Sequence, residues 1–562
     1  MKKHLQTLVL LWLMSFTVIY KNVYAQAPSW AWAKSAGGTF IDYGWGCATD
    51  INGNVYITGY FNSSTITFGS TTLNNTNTNS DIFIVKYDPS GNVLWAKNAG
   101  GIDNDVGRSC ATDGSGNVYV TGYFNSSSIT FGSTTLTNAS TSSDIFIVKY
   151  DPNGNVLWAQ REGGTFSEWG YSCASDASGN VYVTGYFNSS SITFGSTVLT
   201  NANAGVADIF IVKYDSSGTI LWAQRAGDIG IDYGWSCTTD VSGNVYLTGY
   251  FLSASITFGT TTLNNISTGS ADIFIVKYDS SGTILWAQRA GGTNEDRGYS
   301  TATDVSGNLY VTGFFRSFTI TFGSTTLTNA NTGNDDIFIV KYDSIGTVLW
   351  AERAGGFADD IGYSTTTDAG GNVYITGEFQ SSSITFGSTT LTNTNIGYTD
   401  VFIANYDMNG NVLWAKNAGG TGNDGGRSCA TDASGNVYVT GTFYSLSIAF
   451  GSTTLTNANT INSDIFTAKL DIVTGVEENI SSTKINVFPN PFSMQTVLKT
   501  DNPLRNATLT VDNCFGQTVA QIKNISGQTI VLSRDNLASG LYFVRLTQDS
   551  KLIATKKLII TD

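Results

Sequence analysis

Asp113-Gly-Ser-Gly-Asn-Val-Tyr-Val-Thr-Gly-Tyr-Phe124 recurs seven times with hardly a change, its opening aspartate falling at Asp50, Asp113, Asp176, Asp240, Asp304, Asp368 and Asp432. Steps of 63 or 64 residues separate the copies. A fixed period of this kind marks an array of identical supersecondary units, none of which buries its apolar surface alone.

Working outward from Asp113, one unit runs from Asp105 to about Gly164 and carries four strand signals. Arg108–Thr112 leads through the tight turn Asp113–Asn117 into Val118–Phe124. After a long polar segment, Asp144–Asp151 leads through Pro152–Asn155 into Val156–Ala159. These are short β-branched and aromatic runs bounded by Asp, Gly and Asn turns. They are nearly continuous in apolar residues, so both faces of each sheet need cover. Four-stranded sheets packed face to face around an axis make a β-propeller, here with seven blades. Trp30-Ala-Trp-Ala-Lys34 matches the fourth strand Leu94-Trp-Ala-Lys97, and no Trp-bearing fourth strand follows Asp471. The start of the chain is therefore expected to complete the last blade and close the ring.

Strand alternation sorts the connections. The tight Asp-x-x-Gly turns after strands one and three fall on one face, and the longer connections after strands two and four on the other. Segment 125–143 contains Ser128–Leu136, a small hairpin turning at Gly132-Ser133. Such hairpins are expected to crown the long-loop face, which is the candidate for binding.

Charged residues make up only 13% of the 562, and the net charge is −14. Such an acidic body repels phosphate backbones and anionic membranes, so no nucleic-acid partner is expected. Residues 1–25 read as a signal peptide, with Lys2 and Lys3 before an apolar stretch and a small-residue cleavage site ending at Ala25. No other segment approaches 18 apolar residues, so the mature chain is expected to be secreted without a transmembrane segment. Cys47, Cys110, Cys173, Cys237 and Cys429 each lie three residues before the repeat aspartate, where the other copies have Thr301 and Thr365. Interchange with Thr points to small buried side chains and free thiols. The single histidine, His4, leaves with the leader. Histidine-based nucleophilic machinery and most zinc chemistry are thereby excluded, and neither cofactor nor metal is expected.

After a polar linker, residues 473–484, the tail carries strand signals at 507–511, 518–523, 529–532, 540–546 and 556–560, a pattern for a small Ig-like β-sandwich over 485–562. The ring motifs Asp-x-x-Gly-Asn-Val-Tyr-Val-Thr-Gly and Asp-Ile-Phe-Ile-Val-Lys-Tyr-Asp resemble the bacterial beta-propeller repeat family called SBBP repeats, across residues 30–471 of a propeller domain expected at 26–472. Phe488-Pro-Asn-Pro-Phe492, Phe515-Gly-Gln517, Leu537–Phe543 and Lys557–Ile560 resemble the type A C-terminal sorting domain of the type IX secretion system. That resemblance implies the type IX machinery as a partner and a secreted or cell-surface location.

The connection entering each blade carries an acid, a spacer, Gly and a large residue. The acids are Asp42, Asp105, Glu168, Asp232, Asp296, Asp360 and Asp424; the large residues are Trp45, Arg108, Tyr171, Trp235, Tyr299, Tyr363 and Arg427. Five aromatics and two arginines suit a stacking platform for an extracellular glycan or protein ligand. Packing between blades, with the acids accepting backbone N–H groups, is the other reading of the same residues. Glu162, Asp228 and Glu378 break the repeat. A pair of such acids would suit a polysaccharide hydrolase or lyase, which needs two carboxyls about 5–9 Å apart. Near-identical blades favour repeated weak contacts instead. A binding or adhesion module is the first reading, no catalytic residue is assigned, and a purely structural scaffold is the third.

Overall fold

The computed structural model describes residues 28–77, 79–471, 485–513, 517–548 and 551–562. The expected leader, the linker 473–484, and Cys514 with Phe515-Gly516 lie outside those residues. The chain divides into two units, Met1–Ile472 and Val473–Asp562.

In the first unit the repeats fold into seven four-stranded antiparallel sheets, the blades of the expected propeller. Blade two, taken as reference, comprises Asp105–Thr112, Val118–Phe124, Asp144–Tyr150 and Val156–Glu162, hydrogen-bonded in that order. The first strands of successive blades lie against one another around the axis, and the third strands are buried along their whole length. The first and fourth strands are longer than the apolar runs suggested. The extra fourth-strand residues are polar, but the ladder continues through Gln160, Arg161 and Glu162. Blade seven closes as expected: Ser29–Ala36 pairs antiparallel with Asp464–Asp471, from Ser29 opposite Asp471 to Ala36 opposite Ile465.

The repeat aspartate is the hub of each blade. Asp113 Oδ1 accepts the backbone N–H groups of Ser115 and Asn117 at 3.0 Å. Its Oδ2 accepts the Asn117 side-chain amide at 2.8 Å and the Tyr119 hydroxyl at 3.3 Å, and lies 3.2 Å from Lys149 Nζ. The turn itself closes with Gly116 at φ +78°, a conformation that L side chains resist. Lys149 also donates to the Ser216 carbonyl of the next blade at 3.2 Å, and Trp158 Nε1 donates to the same oxygen at 3.1 Å. The motif thus locks one blade to the next. Blade six alone has Asn405 in place of this lysine. The blade that follows it is the seam, where the fourth strand comes from the start of the chain and not from a turn after the third. Nearer the axis, Thr49, Thr112, Ser175, Thr239, Thr303, Thr367 and Thr431 each donate a hydroxyl to the carbonyl of the equivalent residue one blade back. The last link, Thr49 to Thr431 at 2.7 Å, completes the circle.

The hairpins depart from expectation. Each leaves the long-loop face but folds back along the flank of its own blade and does not crown that face. In blade one the tip, Gly69, sits over Val93 at the tight-turn end of the fourth strand, while Asn98 near the other end donates to Asn74 at 2.9 Å. The cause is their amphipathic pattern. Ile66, Phe68 and Leu73 are buried between consecutive blades with Phe83 and Trp32, while the intervening threonines face solvent. Cys47, Cys110, Cys173, Cys237 and Cys429 are buried and free, and Thr301 and Thr365 are buried at the same position.

The second unit is all-β, with strands Ile485–Phe488, Gln495–Asn513, Thr518–Ser533, Gly540–Gln548 and Lys551–Ile560 around one apolar core. The runs expected separately at 518–523 and 529–532 form one continuous strand. Asn-Ile-Ser-Gly-Gln between them reads as a turn, but Asn524 and Gly527, both at positive φ, are accommodated as irregularities within the ladder. Phe492 bridges to the last strand, its N–H donating to the Ile559 carbonyl at 3.0 Å.

Candidate functional site

Each first strand begins at the long-loop face, and its fourth residue is the candidate ring residue. Pairing with the second strand slips there. Gly44 lies opposite Gly59 and Gly46 opposite Thr58, so Trp45 is the extra residue of a β-bulge. The same slip recurs at Arg108, Tyr171, Trp235, Tyr299, Tyr363 and Arg427. A bulge re-aims the side chain it carries. Here it brings all seven to a central cavity of about 590 Å³.

The seven touch in a closed circle. The Arg108 guanidinium lies 4.4 Å from the Trp45 ring centre and 5.4 Å from that of Tyr171. Tyr171 stacks on Trp235 at 4.4 Å, Trp235 meets Tyr299 at 4.9 Å, and Tyr299 stacks on Tyr363 at 5.6 Å. Arg427 then lies 4.3 Å from Tyr363 and 5.9 Å from Trp45. Such cation–π and ring contacts contribute about 0.5–2 kcal/mol each. The platform reading and the packing reading therefore describe the same side chains: they pack between blades and still line the cavity.

The seven acids behave otherwise, and their assignment as ligand contacts is corrected. All are essentially fully buried, and their oxygens are taken up locally. Asp105 accepts N–H groups from Gly101, Asn125 and Ser126 at 2.9 to 3.1 Å and the Ser126 hydroxyl at 2.7 Å. Glu168, with its longer side chain, still accepts from Gly164 and Ser189. Each acid ties the two long connections of its blade together. The acids Glu162 and Glu378 also stay apart, on the fourth strand of blade two and the second strand of blade six. Glu378 accepts the Tyr363 hydroxyl at 3.0 Å and pairs with Arg427 at 3.0 Å. It therefore belongs to the ring as a counter-ion, and Asp228 contributes its backbone N–H to Asp232 at 3.0 Å.

Sequence reasoning missed a second aromatic layer. Tyr60 and Tyr123, near the end of their second strands, stack on Tyr43 at 5.5 Å and on Trp169 at 4.0 Å. The signal was there in the Thr-Gly-Tyr-Phe run, whose tyrosine lies across the ladder from the spacer residue after the acid.

Burial is the main cause of the raised pKa values here. It pushes Asp42, Glu168 and Asp424 up to about 7 and Asp105, Asp232, Asp296 and Asp360 up to about 6, against their hydrogen bonds. Asp81, at the start of a third strand, is pushed by burial and then by Asp105 to about 7. A carboxyl raised in the folded state contributes stability at pH below its unfolded value, roughly 3.9, and loses it as pH rises through the folded value. The hub aspartates Asp50 and Asp113 go the other way. Burial would raise them, but Asn54 with Lys86 and Asn117 with Lys149 hold them low, so their contribution is lost in stronger acid. Melting temperature is expected to peak near pH 4–5, fall toward pH 7 and level off above it. Asp81→Asn is expected to flatten that fall and to melt higher than the parent at pH 8 in a fluorimetric scan. An unchanged slope contradicts the assignment.

Residues 486–561 match the family described as the secretion system C-terminal sorting domain. The chain ends in a secretion sorting domain. That tail supports export by type IX secretion, to the cell surface or the extracellular space. An uncharacterized WD repeat-containing protein of Acanthamoeba polyphaga mimivirus is 28% identical over 505 residues, covering 75% of this chain and 36% of that relative. The chain thus spans about a third of that relative's length. Among solved structures, Sqt1 from Chaetomium thermophilum aligns at 10% identity and TM-score 0.35, covering 72% of this chain and 95% of that one. PorZ, a surface component of the type IX secretion system of Porphyromonas gingivalis, aligns at 9% identity and TM-score 0.14, covering 94% of this chain and all of the other.

Proposed function

We propose that the propeller is an exported, non-enzymatic binding module, displayed at the cell surface or released, that takes a glycan in the axial cavity on its long-loop face. One observation carries this reading: seven β-bulges deliver five aromatic and two arginine side chains to a single concave surface of about 590 Å³. Flat rings with polar edges suit the alternating apolar and hydroxyl faces of sugars. The surrounding Ser-, Thr- and Asn-rich surface adds hydrogen-bonding partners without strong charge. A protein ligand is the competing occupant and an outcome of the same test. We further propose that the leader is cut after Ala25 and that the blades are of the SBBP type, as their Asp-x-x-Gly-Asn-Val-Tyr hub suggests.

The test is a glycan array probed with the full secreted chain, beside the variant carrying Trp45→Ala and Trp235→Ala. Binding to a set of oligosaccharides that drops at least about tenfold in the variant, with the β circular dichroism retained, is the expected result. Full retention by the variant, or binding to immobilised proteins alone, contradicts it.

A further inference from the structure

Two guanidinium groups, Arg108 and Arg427, line the axial cavity, and Arg297 lies over Tyr250 at the second aromatic layer. Arg427 pairs with Glu378 at 3.0 Å, and Arg297 pairs with Glu295. Arg108 has no carboxylate partner among the described residues. It sits in an aromatic box: the ring centre of Trp45 is 4.4 Å away, those of Trp169 and Tyr171 are 5.4 Å away, and that of Tyr123 is 5.9 Å away. The Tyr123 hydroxyl hydrogen-bonds to this guanidinium, but its charge meets no counter-ion and its Nε has no partner among the described residues.

A side cavity of about 380 Å³ opens beside it between blades one and two, lined by Arg108, Trp45, Tyr123, Trp169, Asn125 and neighbouring residues. That volume falls within the roughly 300–1,000 Å³ typical of small-ligand sites. Three buried polar atoms of its lining have no hydrogen-bond partner among the described residues: Trp45 Nε1, Arg108 Nε and Asn125 Oδ1. Buried polar atoms are seldom left unpaired, and three around one cavity ask for a polar occupant. The space has a definite origin. The residue after the entry acid is Tyr43, Trp169, Tyr233, Arg297 and Ile361 in five blades but Val106 here. The other small one, Gly425, has its space filled by the Glu378 carboxylate.

We infer that Arg108 and this cavity form a carboxylate subsite that takes an acidic sugar of the hexuronate class, the sugar face lying on the aromatic walls. The planar fork of arginine suits a carboxylate in two-point contact. Trp45 Nε1 is a donor and Asn125 Oδ1 an acceptor for ring hydroxyls. The inference rests on the glycan-binding reading above and assigns the charge class of the ligand.

The test is calorimetric titration of the full secreted chain with a tetrameric oligouronate, its methyl ester and a neutral tetrasaccharide. The oligouronate is expected to bind at least about tenfold tighter than its ester, as for a charge-assisted pair. Arg108→Gln is expected to erase that ratio. Asn125→Asp, which places a carboxylate in the cavity, is expected to do the same, so that the result does not depend on one variant folding. Arg225→Gln, on the fourth strand of blade three, is expected to leave the ratio unchanged. Equal affinity for acid and ester, or a ratio that survives both cavity variants, overturns the subsite while leaving glycan binding standing. Failure of all three probes to bind overturns both.

Discussion

A chain that begins at Gly37 is expected to melt at least about 10 °C below the full-length protein, because it lacks the strand that closes the ring. Ser29–Ala36 is the outer strand of blade seven, supplied from the far end of the sequence. Trp30 packs edge-on against Phe450 at 4.9 Å, and Trp32 fits between Tyr87 of blade one and Tyr438 of blade seven at 6.1 and 6.0 Å. Trp32 Nε1 also donates to the Pro89 carbonyl at 3.1 Å, the latch that every other fourth-strand tryptophan with a following turn makes to the next blade. Losing one fully buried tryptophan costs about 3–5 kcal/mol; Trp30 and Trp32 are half-buried, but both go together with a hydrogen-bonded ladder. The edge of Asp464–Asp471 is left bare as well, so the shortened chain should also self-associate. Adding a synthetic Ser29–Ala36 peptide should restore part of the lost melting temperature. Scanning calorimetry of the two chains decides it. Coincident melting curves contradict closure by the chain's beginning.

That closure was legible because tryptophan is rare and its neighbours are fixed: Trp30-Ala-Trp-Ala-Lys could only be a fourth strand without its blade. Blade number was legible for a similar reason, since the hub aspartate organises its turn, a tyrosine and a lysine at set distances and so tolerates little change. What stayed hidden depends on contacts between repeats. An entry acid and a large ring residue, Asp42 and Trp45 in the first copy, travel together in every copy, so spacing alone offered both as ligand contacts. Their separation comes from Ser63, 21 residues on, which takes up the acid, and from the bulge opposite Gly59, which turns the tryptophan toward the axis. The difference between Arg108 and Arg427 is likewise invisible within a repeat, because the counter-ion Glu378 comes from the second strand of the neighbouring blade. The hairpins were located correctly in sequence, but their final position required knowing that two blades leave an apolar groove for Ile66, Phe68 and Leu73.

Two glycines eight residues apart in blade two should respond in opposite ways to alanine. Gly122 belongs to the Thr-Gly step of the repeat and lies opposite Gly107, next to the bulge that carries Arg108. A Cβ there would run into the carbonyl oxygen of Val106 and come within 3.0 Å of the Phe146 ring. The obstacle is backbone, which yields only by moving the first strand. Gly122→Ala is therefore expected to cost about 1–3 kcal/mol or more and to shift Arg108 away from its aromatic neighbours. Gly114 lies in the tight turn, where an added Cβ meets nothing within 4 Å and φ is not in the left-handed region. Gly114→Ala should leave the melting temperature unchanged or raise it slightly, through reduced freedom of the unfolded chain, by about 0.4–1 kcal/mol at most. Urea titrations of the two variants, read by tryptophan fluorescence, separate these outcomes. The fluorescence of Trp45 and Trp169 beside Arg108 should change in the native state of the first variant and not of the second. Equal stability for both would mean that the Thr-Gly step is not held by this close approach of strands, and that the aim of the ring residue has some other cause.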